Sequence, residues 1–331
     1  MLSDLLMIVS DPRAGGVLDF VPPSVRRPVL SPHEIRRDGA DVVVECPPLV
    51  SRQPGRHFVP SFSALTTADY SFRFEAAPPE TSADWVGTTT IGAATFASIP
   101  SASPTLRSDI DLFLAGTALP GLRLRLRLRA SDPEVILASS WTVTLSVCDG
   151  VAPDGPPSPR HGSARIAVPA LSQFEQEDAL RDRVCSPTSV AMVLGWRAQA
   201  TTVGDLAAEM FHPGLGLYGV WLSAVRAAAR RGVPGYLLRF PDWAAAAWCL
   251  EHGLPIVASV RYEAGELTGA AIGRTPGHLL VLTGFDGDHV LVNDPAAGTG
   301  ATVGRRYRLD EVWRVWLNRV GVGYVFCPPV D

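Results

Sequence analysis

The stretch RVCSPTSVAMVLGW, residues 183–196, places a cysteine and a proline directly before an apolar run. Proline is accepted in the first turn of a helix and disrupts a helix further in, so Pro187 predicts a helix that begins close to Cys185. A thiol at a helix amino terminus has a lowered pKa, because free backbone N–H groups and the helix dipole stabilise the thiolate. The competing interpretation is a small buried cysteine that packs as a hydrophobic residue. The stretch therefore marks Cys185 as a candidate nucleophile.

A second motif, GHLLVLTGFDGDHVLVNDP (277–295), supplies candidate partners for this thiol. Two apolar strands flank Asp286-Gly287-Asp288, a sequence typical of a β-hairpin turn. If all of 286–288 forms the loop, His278 and Asp294 lie diagonally across the two strands on one face, about 7–8 Å apart. A loop of only two residues would put them on opposite faces. The predicted pair formed by His278 and Asp294 therefore depends on the longer loop and its register.

The composition excludes several classes of protein. The chain has 331 residues, of which 47% are hydrophobic and 19% charged, and its net charge is −4. This is a globular composition without the basic charge expected of a nucleic-acid-binding protein. The 5 cysteines are odd in number and form no Cys-x-x-Cys pair, so neither a disulfide framework nor a zinc site is predicted. No metal and no cofactor is expected.

The amino terminus gives a prediction about the compartment. MLSDLLMIVSDPRAGG (1–16) lacks a basic region and has only a short apolar run, which makes it a poor signal peptide. No apolar run approaches the roughly 20 residues needed to span a bilayer. The sequence as written predicts a cytoplasmic protein without a membrane span, and export stays an open alternative.

The pattern of segments changes along the chain, which predicts two domains. Residues 1–148 contain short β-rich segments, among them DYSFRFEA, GTTTIGAATF, DIDLFLAG and LRLRLRLRA, and favour an all-β, sandwich-like domain. Residues 149–164 are rich in Pro, Gly and Ser and are interpreted as a linker. Residues 165–331 combine helical segments with strands, as in an α+β domain.

The segment LRLRLRLRA, residues 122–130, alternates leucine with arginine. As a strand it puts all the leucines on one face and all the arginines on the other. One interpretation is a strand with a solvated face. The other is an arginine stripe that binds an anionic ligand or partner, with Asp109, Asp111 and other nearby acids as the candidates to neutralise it.

The segment GLGLYG, residues 214–219, matches the G-x-G-x-x-G pattern of dinucleotide-binding proteins. That pattern binds a pyrophosphate only between a strand and a helix. Here it follows a helical segment and Pro213, so we predict a plain glycine loop.

Four stretches within residues 168–327 resemble the papain-like cysteine peptidases of the bacteriocin-processing, double-glycine-leader endopeptidase family, in the branch that is not fused to transporters. They are VPALSQ, CSPTSVAMVLGW, GHLLVLTGFDGDHVLVNDP and YRLDEVW. The resemblance implies a bacterial protein with an α+β, papain-like cysteine peptidase domain, preceded here by the all-β sandwich-like domain. It leaves the β-rich part uncovered.

The same resemblance implies a role for each matching residue. Cys185 would be the nucleophile, His278 the general base and then acid, and Asp294 the residue that orients the imidazole. Gln173 would donate to the oxyanion together with the backbone N–H of Cys185. Because Gln173 lies further from the cysteine than in transporter-linked members, Gln176 is the alternative. Ser186 also departs from the family, which most often has glycine there.

The implied activity is that of a cysteine peptidase or amidase, which cleaves an amide bond of a peptide or protein substrate through a thioester. One alternative is an acyl transferase that uses the same chemistry of cysteine, histidine and aspartate. The other is a catalytically silent, papain-like binding or scaffold protein. The β-rich domain is expected to bind substrate or a partner, or to pack beside the cleft.

Overall fold

The computed structural model describes residues 3–11, 13–80, 84–150, 155–158, 162–199 and 201–328. Within these ranges the chain has a mixed α/β fold, with a large sheet in each half and few helices. The linker predicted at 149–164 lies partly outside the described residues, and the division of the chain at that linker stays a prediction. In the described part of the chain, no helix is long and apolar enough to cross a membrane.

The amino-terminal part consists of strands, a short helix α1 (Pro133–Leu137) and a 3-10 helix (Ala14–Phe20). Its described strands form one sheet, in which the long strand β9 pairs with β5 and β8 over its first half and with β4 and β6 over its second half. The arrangement of these strands as a sandwich stays a prediction. The strands are β1 (Ser3–Val9), β2 (Arg26–Leu30), β3 (Glu34–Asp38), β4 (Asp41–Glu45), β5 (Leu49–Ala64), β6 (Tyr70–Ala77), β7 (Val86–Gly87), β8 (Leu106–Asp109), β9 (Leu112–Ala130) and β10 (Trp141–Cys148).

The leucine face of β9 forms part of the core of this sheet. Leu122, Leu124, Leu126 and Leu128 are each at most 1% exposed. Burial of one leucine side chain contributes about 1.5–3 kcal/mol. The alternation of leucine with arginine in the sequence therefore determines which face of the strand is buried.

On the arginine face of β9, Arg125, Arg127 and Arg129 are paired with acids of neighbouring strands. Arg125 and Arg127 both pair with Glu75 of β6, which has no exposed side-chain surface. Arg127 and Arg129 also pair with Asp41 of β4. The acids that neutralise these arginines thus lie on the neighbouring strands β4 and β6, and neither Asp109 nor Asp111 is among them. A carboxylate directly across a strand pair from an arginine is close enough to form an ion pair with it.

Two of the predicted strands are wrong. GTTTIGAATF contributes only the end of β7 and a single bridge at Ile91. DIDLFLAG does not run as one strand, because the chain reverses within it and Asp109 pairs with Leu112. Ile110 in this turn has a φ of +54°. A β-branched residue is a rare occupant of that left-handed region, so the sequence carries no turn signal there.

The carboxy-terminal part forms a second sheet, with helices packed against it. Its described strands run in the order β12-β17-β13-β14-β15-β16, and β11 adds to β14. The predicted helices and strands of this part are present. The helices are α2 (Cys185–Trp196), α3 (Val203–Met210), α4 (Trp221–Ala229), α5 (Trp243–Glu251) and α6 (Leu309–Val312), the last continuing into a π-helical turn (Trp313–Leu317). The strands are β11 (Ser163–Arg165), β12 (Gly235–Arg239), β13 (Ile256–Tyr262), β14 (Thr275–Asp286), β15 (His289–Asn293), β16 (Gly304–Arg308) and β17 (Val322–Phe326), and 3-10 turns lie at Gln173–Glu175 and Gly300–Thr302.

The two sheets meet along β12, the edge strand of the second sheet. The N–H groups of Gly235 and Leu237 donate to the hydroxyls of Ser63 and Ser61 on β5, at 3.3 and 3.2 Å. The N–H of Arg239 donates to the hydroxyl of Ser146 at 3.0 Å. Serine hydroxyls of the first sheet thus accept hydrogen bonds from backbone N–H groups along the edge of the second sheet. An exposed edge strand would otherwise offer these N–H groups to a second chain.

Hydrophobic clusters also cross between the two parts. Leu5 and Met7 of β1 pack in one cluster with Tyr236 and Leu238 of β12. A second cluster joins the interior of the amino-terminal sheet to α2 and α4. The carboxy-terminal part therefore packs against the β-rich part through a continuous apolar interior.

A carboxylate of the β-rich part caps a helix of the other part. Asp111, in the turn between β8 and β9, accepts hydrogen bonds from the N–H groups of Trp221 (3.1 Å) and Leu222 (3.4 Å) at the start of α4. Burial raises the pKa of Asp111 to about 7, although these two N–H groups lower it. An unfolded aspartate titrates near pH 4. Between about pH 4 and pH 7 the folded protein therefore holds a proton that the unfolded chain has lost. The free energy of unfolding consequently falls as the pH rises through that window.

Asp111→Asn is therefore expected to remove a pH-dependent loss of stability. Asparagine keeps one acceptor oxygen for the N–H of Trp221 and cannot ionise. The thermal midpoint of the variant should exceed that of the wild type by several degrees at pH 8 and approach it near pH 4.5, measured by circular dichroism. Asp132→Asn is the matched control, since Asp132 caps α1 from an exposed position and should give the wild-type profile. If the difference in thermal midpoint between Asp111→Asn and the wild type did not change with pH, the raised pKa assigned to Asp111 would be wrong.

Candidate active site

Cys185 lies at the start of a helix, as its sequence context predicts. The helix α2 begins at Cys185 and Pro187 is its third residue. Ser189 donates to the carbonyl oxygen of Leu279 at 3.1 Å and so fixes α2 against β14. Cys185 is partly exposed, whereas the other cysteines are buried. A partly exposed thiol at a helix start is in the environment in which cysteines react.

His278 and Asp294 form a buried pair. Nε2 of His278 lies 2.8 Å from Oδ1 of Asp294, and the two side chains are 3% and 0% exposed. The other oxygen of Asp294 accepts from the hydroxyl of Tyr307 at 2.8 Å. Nε2 is occupied by the carboxylate, so Nδ1 is the ring nitrogen left for the thiol of Cys185, and the two side chains are close enough that each shifts the pKa of the other. The structure therefore brings together the three side chains that the sequence singles out.

The electrostatics of this cluster favour charge separation. Burial raises the pKa of the Cys185 thiol, but the hydrogen bond and charge of His278, with the N–H groups of Leu279 and Ser186, lower it below its ordinary value. Burial lowers the pKa of His278, but the charge and hydrogen bond of Asp294 prevail and raise it to about 10. Burial also raises the pKa of Asp294, which its hydrogen bonds and the charge of His278 bring below the usual range. The arrangement therefore favours a thiolate beside an imidazolium over the uncharged pair.

The hairpin that carries the pair turns differently from the prediction. Asp286 pairs with His289, so the loop is the two-residue Gly287-Asp288 and not the longer one. Gly287 has a φ of +58°, in the left-handed region that glycine adopts without strain. A regular ladder behind this turn would place the histidine and the aspartate on opposite faces.

A β-bulge restores the expected register. The ladder slips by one residue between Leu282 and Gly284, and beyond the slip Val281 faces Asn293. This is the register that a three-residue loop would have produced. The bulge thus cancels the shorter loop, and the histidine on β14 and the aspartate after β15 meet on one face.

The two glutamine candidates lie on a turn next to Asp294. The backbone N–H of Gln173 donates to the carbonyl oxygen of Pro295 at 2.8 Å. Its Nε2 donates to the carbonyl oxygen of Arg181 at 2.7 Å, and its Oε1 is buried without a partner. Gln176 is less buried, and its Nε2 donates to the carbonyl oxygen of Ser172 at 3.2 Å. Gln173 is thus the buried one of the two, with one further N–H available, and its contact with an oxyanion stays a prediction.

Tyr307 is the site residue that sequence reasoning missed. It lies on β16 opposite Val290 of β15, and that register turns its hydroxyl toward Asp294. The sequence offered one signal, since a tyrosine stands in the recognised stretch YRLDEVW, but its partner depends on strand pairing. The hydroxyl holds the carboxylate so that Oδ1 faces the imidazole.

A cleft of about 590 Å³ opens beside Cys185. Residues 216–221 line it, so the glycine-rich segment is a loop at the cleft, as predicted, and not a nucleotide-binding turn. Across the described ranges, no group of three or more His, Cys, Asp or Glu side chains is arranged to hold a metal ion.

Comparison with known proteins identifies the carboxy-terminal part. The model of the peptidase C39-like family matches residues 165–324. This segment is similar to the C39-like peptidases. The match confirms the resemblance found at 168–327 and supports a function of the cysteine-peptidase type. The β-rich part lies outside it.

Solved structures of this group are similar to the chain at low identity. One is a double glycine motif protease from an AMS/PCAT transporter in complex with the leader peptide, with 19% identity, 52% of this chain and 99% of that chain covered, and a TM-score of 0.35. Another is a C39-like peptidase from Bacillus anthracis, with 16% identity, 51% of this chain and 100% of that chain covered, and a TM-score of 0.40. A search of curated proteins gave no match.

Proposed function

We propose that this C39-like protein is a cysteine peptidase or amidase that hydrolyses a peptide or amide bond of a peptide or protein substrate. The observation that carries the proposal is the His278–Asp294 pair at 2.8 Å, whose imidazole lowers the pKa of Cys185, a partly exposed cysteine at a helix start. A scaffold gains nothing from a buried ion pair of this kind, because desolvating such charges costs stability.

In the proposed reaction the thiolate of Cys185 attacks the amide carbonyl carbon and the carbonyl oxygen becomes an oxyanion. The backbone N–H of Cys185 and the second N–H of Gln173 Nε2 donate to it, and one such donor contributes about 3–4 kcal/mol. The imidazolium of His278 then gives its proton to the leaving amine as the C–N bond breaks. The product is a thioester with Cys185.

Deacylation reverses these roles. Neutral His278 takes a proton from water, the hydroxide attacks the thioester, and the thiolate leaves. Throughout, Asp294 keeps the ring oriented through Nε2 and stabilises its charged form, while Tyr307 holds the carboxylate. No step requires a metal or a cofactor.

The experiment that tests the proposal is competitive alkylation of the cysteines with iodoacetamide at pH 6, read by peptide mass spectrometry. Cys185 is expected to react fastest, since a cysteine of ordinary pKa near 8.5 is about 0.3% thiolate at that pH. The buried Cys46, Cys249 and Cys327, whose pKa values burial raises, are expected to lag by more than about a hundredfold. A flat ranking would favour the scaffold alternative.

A further inference from the structure

The cleft beside Cys185 is closed on one side by the β-rich part, which lies outside the family match. The turn Asp109–Leu112, between β8 and β9, lines the same cavity as the thiol. Ile110 and Leu112 are half-buried there and present apolar surface to it. A segment from outside the peptidase-like part therefore forms a wall of its cleft.

Hydrogen bonds at three places hold this turn at the cleft. Asp111 caps α4 through the N–H groups of Trp221 and Leu222. The N–H of Thr89 donates to the carbonyl oxygen of Ile110 at 3.1 Å. The hydroxyl of Thr89 in turn lies 2.7 Å from Nε2 of His212, at the base of the loop on the opposite side. The turn is therefore a fixed wall and not a loose surface loop.

The backbone at the tip of the turn is strained. Ile110 has a φ of +54°, which a β-branched side chain rarely adopts. Such strain persists only where the surrounding structure enforces it, and it concentrates at functional sites. Here its effect is to aim an apolar side chain at the cleft in place of the glycine that the turn would favour.

The facing walls are apolar as well. Leu217 is 42% exposed at the cleft rim, and Tyr218 packs against Phe211 with the two rings tilted and their centroids 4.8 Å apart. Leu279, next to the histidine on β14, forms the floor. A cavity with apolar walls and a few polar groups at the reacting atoms selects an apolar ligand group.

We propose that Ile110 and Leu112 determine specificity, as the wall of a pocket that takes an apolar side chain adjacent to the scissile amide. The inference rests on the proposed function of Cys185. It extends that function by assigning part of the substrate site to the β-rich part and by naming the chemistry of the residue that the site selects.

The test compares two irreversible probes on the full chain, N-acetyl-leucine chloromethyl ketone and N-acetyl-glycine chloromethyl ketone. In both, the thiolate displaces chloride and forms a thioether, so the ratio of the two rate constants reports the pocket alone. The wild type is expected to prefer the leucine probe at least about tenfold, because a leucine side chain is several methylenes larger than glycine and each is worth roughly tenfold or more in an apolar pocket. Ile110→Gly and Leu112→Ala should bring the ratio to within about twofold of unity.

Glycine accepts the φ of position 110 without strain, so loss of the preference in Ile110→Gly cannot come from a damaged turn. The matched control is Ile35→Ala, because Ile35 is exposed on β3 and does not line the cleft; it should keep the wild-type ratio. A wild-type ratio near one, or a ratio unchanged in both cleft variants, overturns the inference. Iodoacetamide labelling separates the two proposals: rapid labelling of Cys185 with an unchanged ratio rejects only this inference, and slow labelling rejects both.

Discussion

Replacing Cys185 with alanine is expected to lower the rate constant for hydrolysis of a fluorogenic peptide amide by at least about 10⁴-fold. Alanine removes the atom that forms the thioester, and the remaining donors and cleft can only orient the substrate for attack by water. Cys185→Ser should be nearly as inactive, because the imidazole of His278 is held as an imidazolium and cannot accept the serine proton. The measurement is initial rate on a substrate selected from a library of peptide amides.

The matched control is Cys46→Ala, which removes a buried thiol at the end of β4 in the other part of the chain and should retain turnover. The products decide between hydrolysis and acyl transfer. Mass spectrometry in the presence of a primary amine should show mainly the free acid; a dominant amide product would favour the acyl-transferase alternative. Wild-type turnover in Cys185→Ala would reject the thiol as nucleophile altogether.

The hairpin of β14 and β15 shows how far the sequence determined the site. Strand patterning and the Asp-Gly-Asp turn signal located both strands, and the expected pairing of His278 with Asp294 matches the structure. The loop length on which this expectation depended was wrong. The loop has two residues instead of three, and a β-bulge in β14 compensates for the difference. The bulge depends on a neighbour distant in sequence: the carbonyl oxygen of Thr283 accepts from Ile166, and β11 passes so close to Gly284 that a side chain there would clash.

The β-rich part shows where local patterns fail. Strand β9 follows its leucine period, yet the turn before it is occupied by Ile110 in a conformation that local propensity opposes. Asp111 holds that turn against α4, which lies more than a hundred residues further along the chain. The serines that satisfy the edge of β12 are equally remote in sequence. Contacts of this kind are set by the packing of the two sheets, and no periodicity in either segment encodes them.

His278→Ala is expected to abolish the reactivity of Cys185 toward iodoacetamide at low pH. In the wild type Cys185 should still be alkylated at pH 6, because His278, whose own pKa is raised to about 10, stays protonated there and holds the pKa of the thiol below its ordinary value. Without the imidazolium, burial dominates and raises the pKa of Cys185. The rate at pH 6 should then fall by at least about a hundredfold and rise tenfold per pH unit, as for an ordinary thiol.

Asp294→Asn separates the orienting role from the charge itself. Asparagine can still accept from Tyr307 and bond to the imidazole, but it no longer raises the pKa of His278 by its charge. The low-pH reactivity should therefore fall less than in His278→Ala, and the pH below which Cys185 stops reacting should lie between those of the wild type and of His278→Ala. Tyr262→Phe is a suitable control, because the Tyr262 hydroxyl bonds the carbonyl oxygen of Ile272 and not the pair. If His278→Ala reacted at the wild-type rate at pH 6, the helix start alone would have to generate the thiolate, and the ion pair proposed for the site would be wrong.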